Sequence, residues 1–149
     1  MKKSNIAVAF LLGLVLVIGC KSKKTPEPSE KEKQTTLLSQ SWTAKSAANS
    51  VTLDGTDVTS DWTGFTLTIS SDNTYSATSI ASGREAVWPT PGTWDFKSDT
   101  ELSTLLRGDG VEMNVVVDDT NLQLKFTYTT PGGRTNGTDG AWIFNMEKN

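Results

Sequence analysis

Leu122-Gln123-Leu124-Lys125-Phe126-Thr127-Tyr128 alternates large apolar and polar side chains without a break. A period of two puts Leu122, Leu124, Phe126 and Tyr128 on one face of an extended chain and leaves Gln123, Lys125 and Thr127 on the other. The pattern recurs on both sides. Val111, Met113, Val115 and Val117 alternate with Glu112 and Asn114, and Asp118-Asp119-Thr120 is a hairpin-sized loop between the two stretches. Toward the C terminus Trp142, Phe144 and Met146 alternate with Ile143 and Asn145. Toward the N terminus come Leu102-Thr104-Leu106, Trp94-Phe96, Tyr75-Ala77-Ser79, Phe65-Leu67-Ile69 and Trp42-Ala44-Ser46, each sharing a face. Threonine, valine and the aromatics favour strands. Eight such stretches from Trp42 onward predict an all-β fold built as an eight-stranded antiparallel meander. Such a sheet removes its edges by closing into a barrel, or by folding into a two-layer β-sandwich.

The connections between stretches differ in length. Ser71-Asp72-Asn73 and Gly108-Asp109-Gly110 are tight turns, the second being the simplest reading of the Arg107-Gly108-Asp109 tripeptide. Residues 54–64 follow a short stretch at Val51-Thr52-Leu53 and have room for a helical turn, and residues 129–140 are polar and glycine-rich. Residues 80–92 form the third long connection, where a tight hairpin takes only two to five residues. Long loops on a rigid scaffold tend to carry binding residues. This one holds Arg84 and Glu85, with Trp88 stiffened by Pro89 and Pro91. Trp88 is therefore a candidate to stack on a ligand at a barrel mouth, or else a cap on the core. With Arg84, Tyr75 and Tyr128 it makes up the candidate ligand-binding set.

A family resemblance joins these stretches. Leu38-Ser39-Gln40-Ser41-Trp42 is similar to the Leu-x-Gly-x-Trp opening of lipocalin-like domains, with Gln40 where the glycine would stand. Asp72-Asn73-Thr74-Tyr75 and Gly92-Thr93-Trp94 resemble steps found in small lipocalin-like lipoproteins common in Bacteroidetes. The resemblance spans residues 38–146. It implies a lipocalin-like barrel in which Trp42 begins the first strand and plugs the base, and which binds a small apolar or amphipathic molecule.

The N terminus reads as an address. Lys2 and Lys3 precede residues 6–18, an unbroken run of apolar residues and glycine. Thirteen residues are too few to span a bilayer, which takes about 20, and the layout is that of a secretory signal peptide. The run ends in Val17-Ile18-Gly19-Cys20, which resembles the lipobox of bacterial lipoproteins. That resemblance implies cleavage before Cys20, lipidation of its thiol with a diacylglyceryl group, and usually a further acyl chain on the new N terminus. More than one acyl chain gives stable attachment where a single chain is marginal. The expected organisation is a signal peptide over 1–19, a lipidated cysteine and flexible tether over 20–40, and the β domain over 41–149. Leu37 and Leu38 are the only large apolar residues in the tether and are candidates for a lead-in under the domain. In Gram-negative lipoproteins, which this stretch resembles, an aspartate after the cysteine favours retention at the inner membrane; Lys21 stands there instead, so the resemblance implies the outer membrane of the cell envelope.

Composition excludes several classes. The chain of 149 residues has no histidine and one cysteine. With Cys20 lipidated no thiol remains, so disulfides, thiolate metal sites and the commonest catalytic base and metal ligand are all missing. Residues 20–41 hold five lysines against three glutamates, whereas residues 42–149 hold seven basic and 14 acidic side chains. An acidic body argues against nucleic acid. Asp54, Asp57 and Asp61 share a loop without spelling a calcium ligand set. Asp95, Glu101, Asp109 and Glu112 fall on outward faces or turns rather than across a cleft. No catalytic residues, metal or cofactor are expected, and the chain reads as a non-enzyme. Arg84, Arg107 and Arg134 all fall at turns or loops, so the expected inner face is apolar with Ser, Thr and Tyr. A cavity there would suit a neutral or weakly polar ligand held by burial. The alternative is a core filled by its own aromatics, in an accessory or structural envelope protein that contacts another protein or a glycan.

Overall fold

The computed structural model describes residues 26–132 and 137–149. Cys20, the segments on either side of it and Arg134 lie outside the described residues.

The first element overturns part of the tether. Residues Glu30–Leu38 form helix α1. Ser29 and Glu32 make a reciprocal capping box: the Glu32 amide donates to Ser29 Oγ at 3.2 Å, and the Ser29 amide donates to Glu32 Oε2 at 2.7 Å. Bonds to its Oε2, from the Ser29 amide first and the Ser29 hydroxyl second, hold the Glu32 carboxyl below its ordinary value. Leu38, at the end of the helix, is fully buried. Lys31 Nζ fastens the helix to the barrel through Asp99 Oδ1 at 2.8 Å and lies over the Phe96 ring. Composition alone concealed this element. Its local cap and one buried leucine give the short segment the tertiary support that an isolated nine-residue helix lacks.

Ten strands follow: β1 (Ser41–Ala44), β2 (Val51–Leu53), β3 (Thr56–Asp57), β4 (Thr66–Ile69), β5 (Thr74–Thr78), β6 (Gly92–Ser98), β7 (Glu101–Arg107), β8 (Glu112–Val117), β9 (Asn121–Tyr128) and β10 (Gly140–Lys148). Strands β4 to β10 pair antiparallel in chain order, β1 pairs with β4, and β10 returns to β1 with Trp42 opposite Lys148. The result is a closed eight-stranded antiparallel barrel, which decides against the sandwich. The two extra strands are a side ribbon. β2 continues along the edge of β10 where β1 leaves off, and β3 turns back on it through Asp54-Gly55, both at positive φ. The helical turn expected in this region is a 3-10 turn at Thr59–Trp62, which carries Trp62 into the core.

Burial follows the alternation. Leu122, Leu124, Phe126 and Tyr128 of β9 are buried, as are Trp142, Phe144 and Met146 of β10. Strand β7 departs from the expected phase. Leu106, assigned inward, is exposed, whereas Leu105 and Arg107 are buried. Pairing with β6 shifts register between Phe96 and Ser98. Within the irregular stretch Thr104 and Leu105 are buried in succession, and from there the alternation runs in the opposite phase.

The two barrel ends are closed differently. At the α1 end, Trp42 is fully buried and its Nε1 donates to the Leu38 carbonyl at 3.0 Å. At the other end an aromatic cluster fills the barrel. Trp62 meets Phe65, Trp142 and Phe144 edge-on at 4.9–5.5 Å, and Phe126 stacks parallel to Phe144 at 6.0 Å. Among the described residues no helix is long and apolar enough to cross a membrane.

Candidate functional site

The long connection between β5 and β6 does not stand at a mouth. It enters the barrel wall. Strands β5 and β6 pair at only two positions, Thr74 with Thr93 and Tyr75 with Gly92. Beyond Tyr75 the strands part, and the last residues of the connection, residues 85–91, occupy the opening. Ala77 donates its amide to Thr90 Oγ1 at 2.9 Å, and Tyr75 Oη donates to the Pro89 carbonyl at 2.8 Å. Gly92 permits this arrangement, because a Cβ there would run into the Tyr75 ring.

Trp88 is the side chain this strap delivers. It is 1% exposed and lies among Phe65, Tyr75, Phe126 and Phe144, with ring centroids 5.4–6.1 Å apart. Of the two readings of Trp88, an indole at the mouth or a cap on the core, the second holds: it is sunk in the core. The proline-flanked loop is stiff, but its indole has a gap in the sheet to fill, and burying so large an apolar surface outweighs exposure.

Arg107 is the second correction. It ends β7 and points inward, 1% exposed. Its Nε and Nη2 grip Asp109 Oδ1 and Oδ2 at 2.8 and 2.7 Å, and Nη1 donates to the Val87 carbonyl of the strap at 2.6 Å. Its guanidinium lies 5.5–5.9 Å from the rings of Trp88, Phe126 and Tyr128. Partial burial pushes the Asp109 carboxyl up, but the hydrogen bonds and charge of Arg107 outweigh it, and the net shift is down. The interior therefore holds a cation where none was expected. The sequence carried one overlooked signal: an arginine two residues before an aspartate across a tight turn is well placed for a bidentate pair.

Of the other candidates, Tyr75 and Tyr128 are buried on the inner face, beside Trp88 and Arg107 respectively. Burial raises the Tyr75 hydroxyl to about 12. Arg84 sits apart from them. Its Nη2 pairs with Asp61 Oδ2 at 2.9 Å and its guanidinium lies 5.5 Å from the Trp142 ring, tying the residue just before the strap to the 3-10 turn at Thr59–Trp62. The structure thus gathers Trp88, Tyr75 and Tyr128 around Arg107 and leaves Arg84 outside that group. Asp54, Asp57 and Asp61 are engaged separately, with the Ala141 amide, Thr59 and Arg84.

The room inside is small. The internal cavity measures about 10 Å³ and is bounded by Leu67, Ile69, Tyr75, Trp88, Trp94 and Met113, among others. That is scarcely the space of one water molecule. On the outside, a shallow open concavity of about 640 Å³ crosses β8, β9 and β10 past Glu112, Asn114, Lys125, Thr127 and Ile143. Comparison with protein-family models, curated proteins and solved structures returns no match for this chain.

Proposed function

We propose that this chain is a lipid-anchored lipoprotein of the cell envelope whose barrel is packed shut at rest. In that state it serves as an accessory or structural component that contacts another envelope protein through its outer surface. The observation that supports this reading is the interior volume: about 10 Å³ admits no small apolar ligand while Trp88 is in place. A protein partner fits better than a glycan. Every aromatic side chain among the described residues is buried, so none is offered to stack on a sugar ring.

Helix α1 gives the proposed anchor a direction. Only nine residues separate Cys20 from Glu30. Because α1 docks beside Asp99 at one end of the barrel, that end faces the bilayer and the strap end points away.

Intact-mass measurement under native conditions, on protein isolated from its own membranes, tests both halves of the proposal. The expected species is the chain from Cys20 onward with covalent diacylglyceryl and acyl groups and no retained small molecule. An unmodified Cys20 contradicts the anchor. A stoichiometric non-covalent ligand contradicts the closed barrel.

A further inference from the structure

We propose that the concavity on the outer wall of β8, β9 and β10 is a docking site for an acidic segment of a partner protein, with a single carboxylate of that segment seated on Lys125. The inference rests on the reading above, that the chain works by contacting another envelope protein. It names the surface and the chemistry of that contact.

Strand register places Lys125 amid the residues that line the concavity. On the outer face it stands between Asn114 of β8 and Ile143 of β10, with Thr127 two residues along its own strand. Ala141 lies opposite Thr127. Lys125, Asn114 and Thr127 are all exposed. Asp109, Gly110 and Val111 complete the lining on one side. They belong to the turn after β7, where Arg107 meets the strap, so the site lies on the half of the barrel remote from α1.

Local charge balance sets this spot apart from the rest of the surface. Two carboxylates line the concavity, and each is already engaged by a cation from outside it: Asp109 by Arg107 at 2.7 Å, and Glu112 by Lys97 at 2.9 Å. The Lys125 ammonium makes no hydrogen bond or ion pair among the described residues. It is an uncompensated positive charge on a body in which residues 42–149 carry seven basic and 14 acidic side chains. Lysines often guard exposed sheet edges. That role does not account for Lys125, because β9 is paired on both sides, with β8 and with β10.

The charge count specifies the occupant. One free cation beside two neutralised carboxylates suits a single carboxylate. It opposes a polyanion such as nucleic acid, whose phosphates need a run of basic groups. Ile143 and Ala141 add apolar surface on the same face. The fitting partner therefore presents an aspartate or glutamate beside an aliphatic side chain. Asn114 and Thr127 supply hydrogen-bonding groups for its main chain. Complementarity of this kind fixes register and partner choice more than it raises affinity.

The test treats native membranes bearing the full chain with a water-soluble carbodiimide, a zero-length reagent that joins an amine to a carboxylate in contact with it. Mass spectrometry of the crosslinked peptides should find Lys125 joined to an aspartate or glutamate of one other protein. Lys125→Arg keeps the charge and should retain that protein on affinity purification from gently solubilised membranes. Lys125→Glu should lower its recovery about fivefold or more, because attraction becomes repulsion. Lys125 is exposed, so both variants should melt with the wild type. Lys125 joined only to Glu112 of its own chain, to a second copy of the chain, or to many proteins without preference overturns the proposal. Equal recovery with Lys125→Glu also overturns it, and leaves the function proposed above standing on another surface. Should the wild type retain no protein at all, the inference and that function fall together, so the two failures are distinguishable.

Discussion

Arg107 Nη1 donates to the Val87 carbonyl at 2.6 Å, joining the end of β7 to a strap 20 residues earlier in the chain. Through this contact a buried cation, its Asp109 counter-ion and the strap that carries Trp88 are joined at the barrel end away from α1. Val87 and Trp88 are both within 1% of complete burial, as is Arg107.

The first consequence concerns Trp88. Truncating a fully buried tryptophan costs roughly 3–5 kcal/mol, and Trp88→Ala is expected to lower the thermal midpoint by on the order of 10–20 °C in a domain of this size. Circular dichroism melts of the two proteins check this. A shift of only a few degrees would place the indole at the surface.

The buried pair predicts an acid-side dependence. The folded Asp109 carboxyl lies below its ordinary value, so the stability it contributes is fully present above the unfolded carboxylate value, near 4. That stability is lost as pH falls through the lower folded value. Asp109→Asn should remove this part of the pH dependence and leave Arg107 buried without a counter-ion. Breaking such a pair costs roughly 3–5 kcal/mol when both partners are buried. The lower end applies here, because the Asp109 side chain is 34% exposed. Chemical denaturation of both proteins between pH 2 and 7 measures it, and parallel stability profiles would contradict the account.

Gly92→Ala is expected to destabilise by about 1–3 kcal/mol through overpacking against the Tyr75 ring. Backbone strain is not the cause, since Gly92 is not among the positive-φ residues. In a double-mutant cycle the cost should largely vanish in a Tyr75→Ser background. An undiminished cost there would mean that the glycine serves something other than the ring.

The eight barrel strands were legible because their alternation is local and the buried face is strongly apolar: Leu122 to Tyr128 reads the same in sequence and in structure. What stayed hidden depends on contacts distant in sequence. The phase of β7 turns on its register shift against β6, so Arg107 read as a turn residue when it is an interior one. Trp88 stayed open between a rim residue and a cap on the core because the opening between β5 and β6 cannot be inferred from either strand alone. Helix α1 was obscured by its polar composition, although the Ser29–Glu32 box was present in the sequence. The side ribbon was seen only as an isolated stretch at Val51-Thr52-Leu53, because it pairs with β10, some 90 residues later.

The most direct test of the closed barrel is a nuclear Overhauser measurement on the Trp88 indole in the full-length protein. The account predicts cross-peaks from its ring protons to Phe126, Phe144 and the Arg107 side chain, together with slow exchange of its Nε1 proton with solvent. Rapid exchange, with cross-peaks to water and none to Phe126 or Phe144, would show the indole outside the barrel and contradict the account.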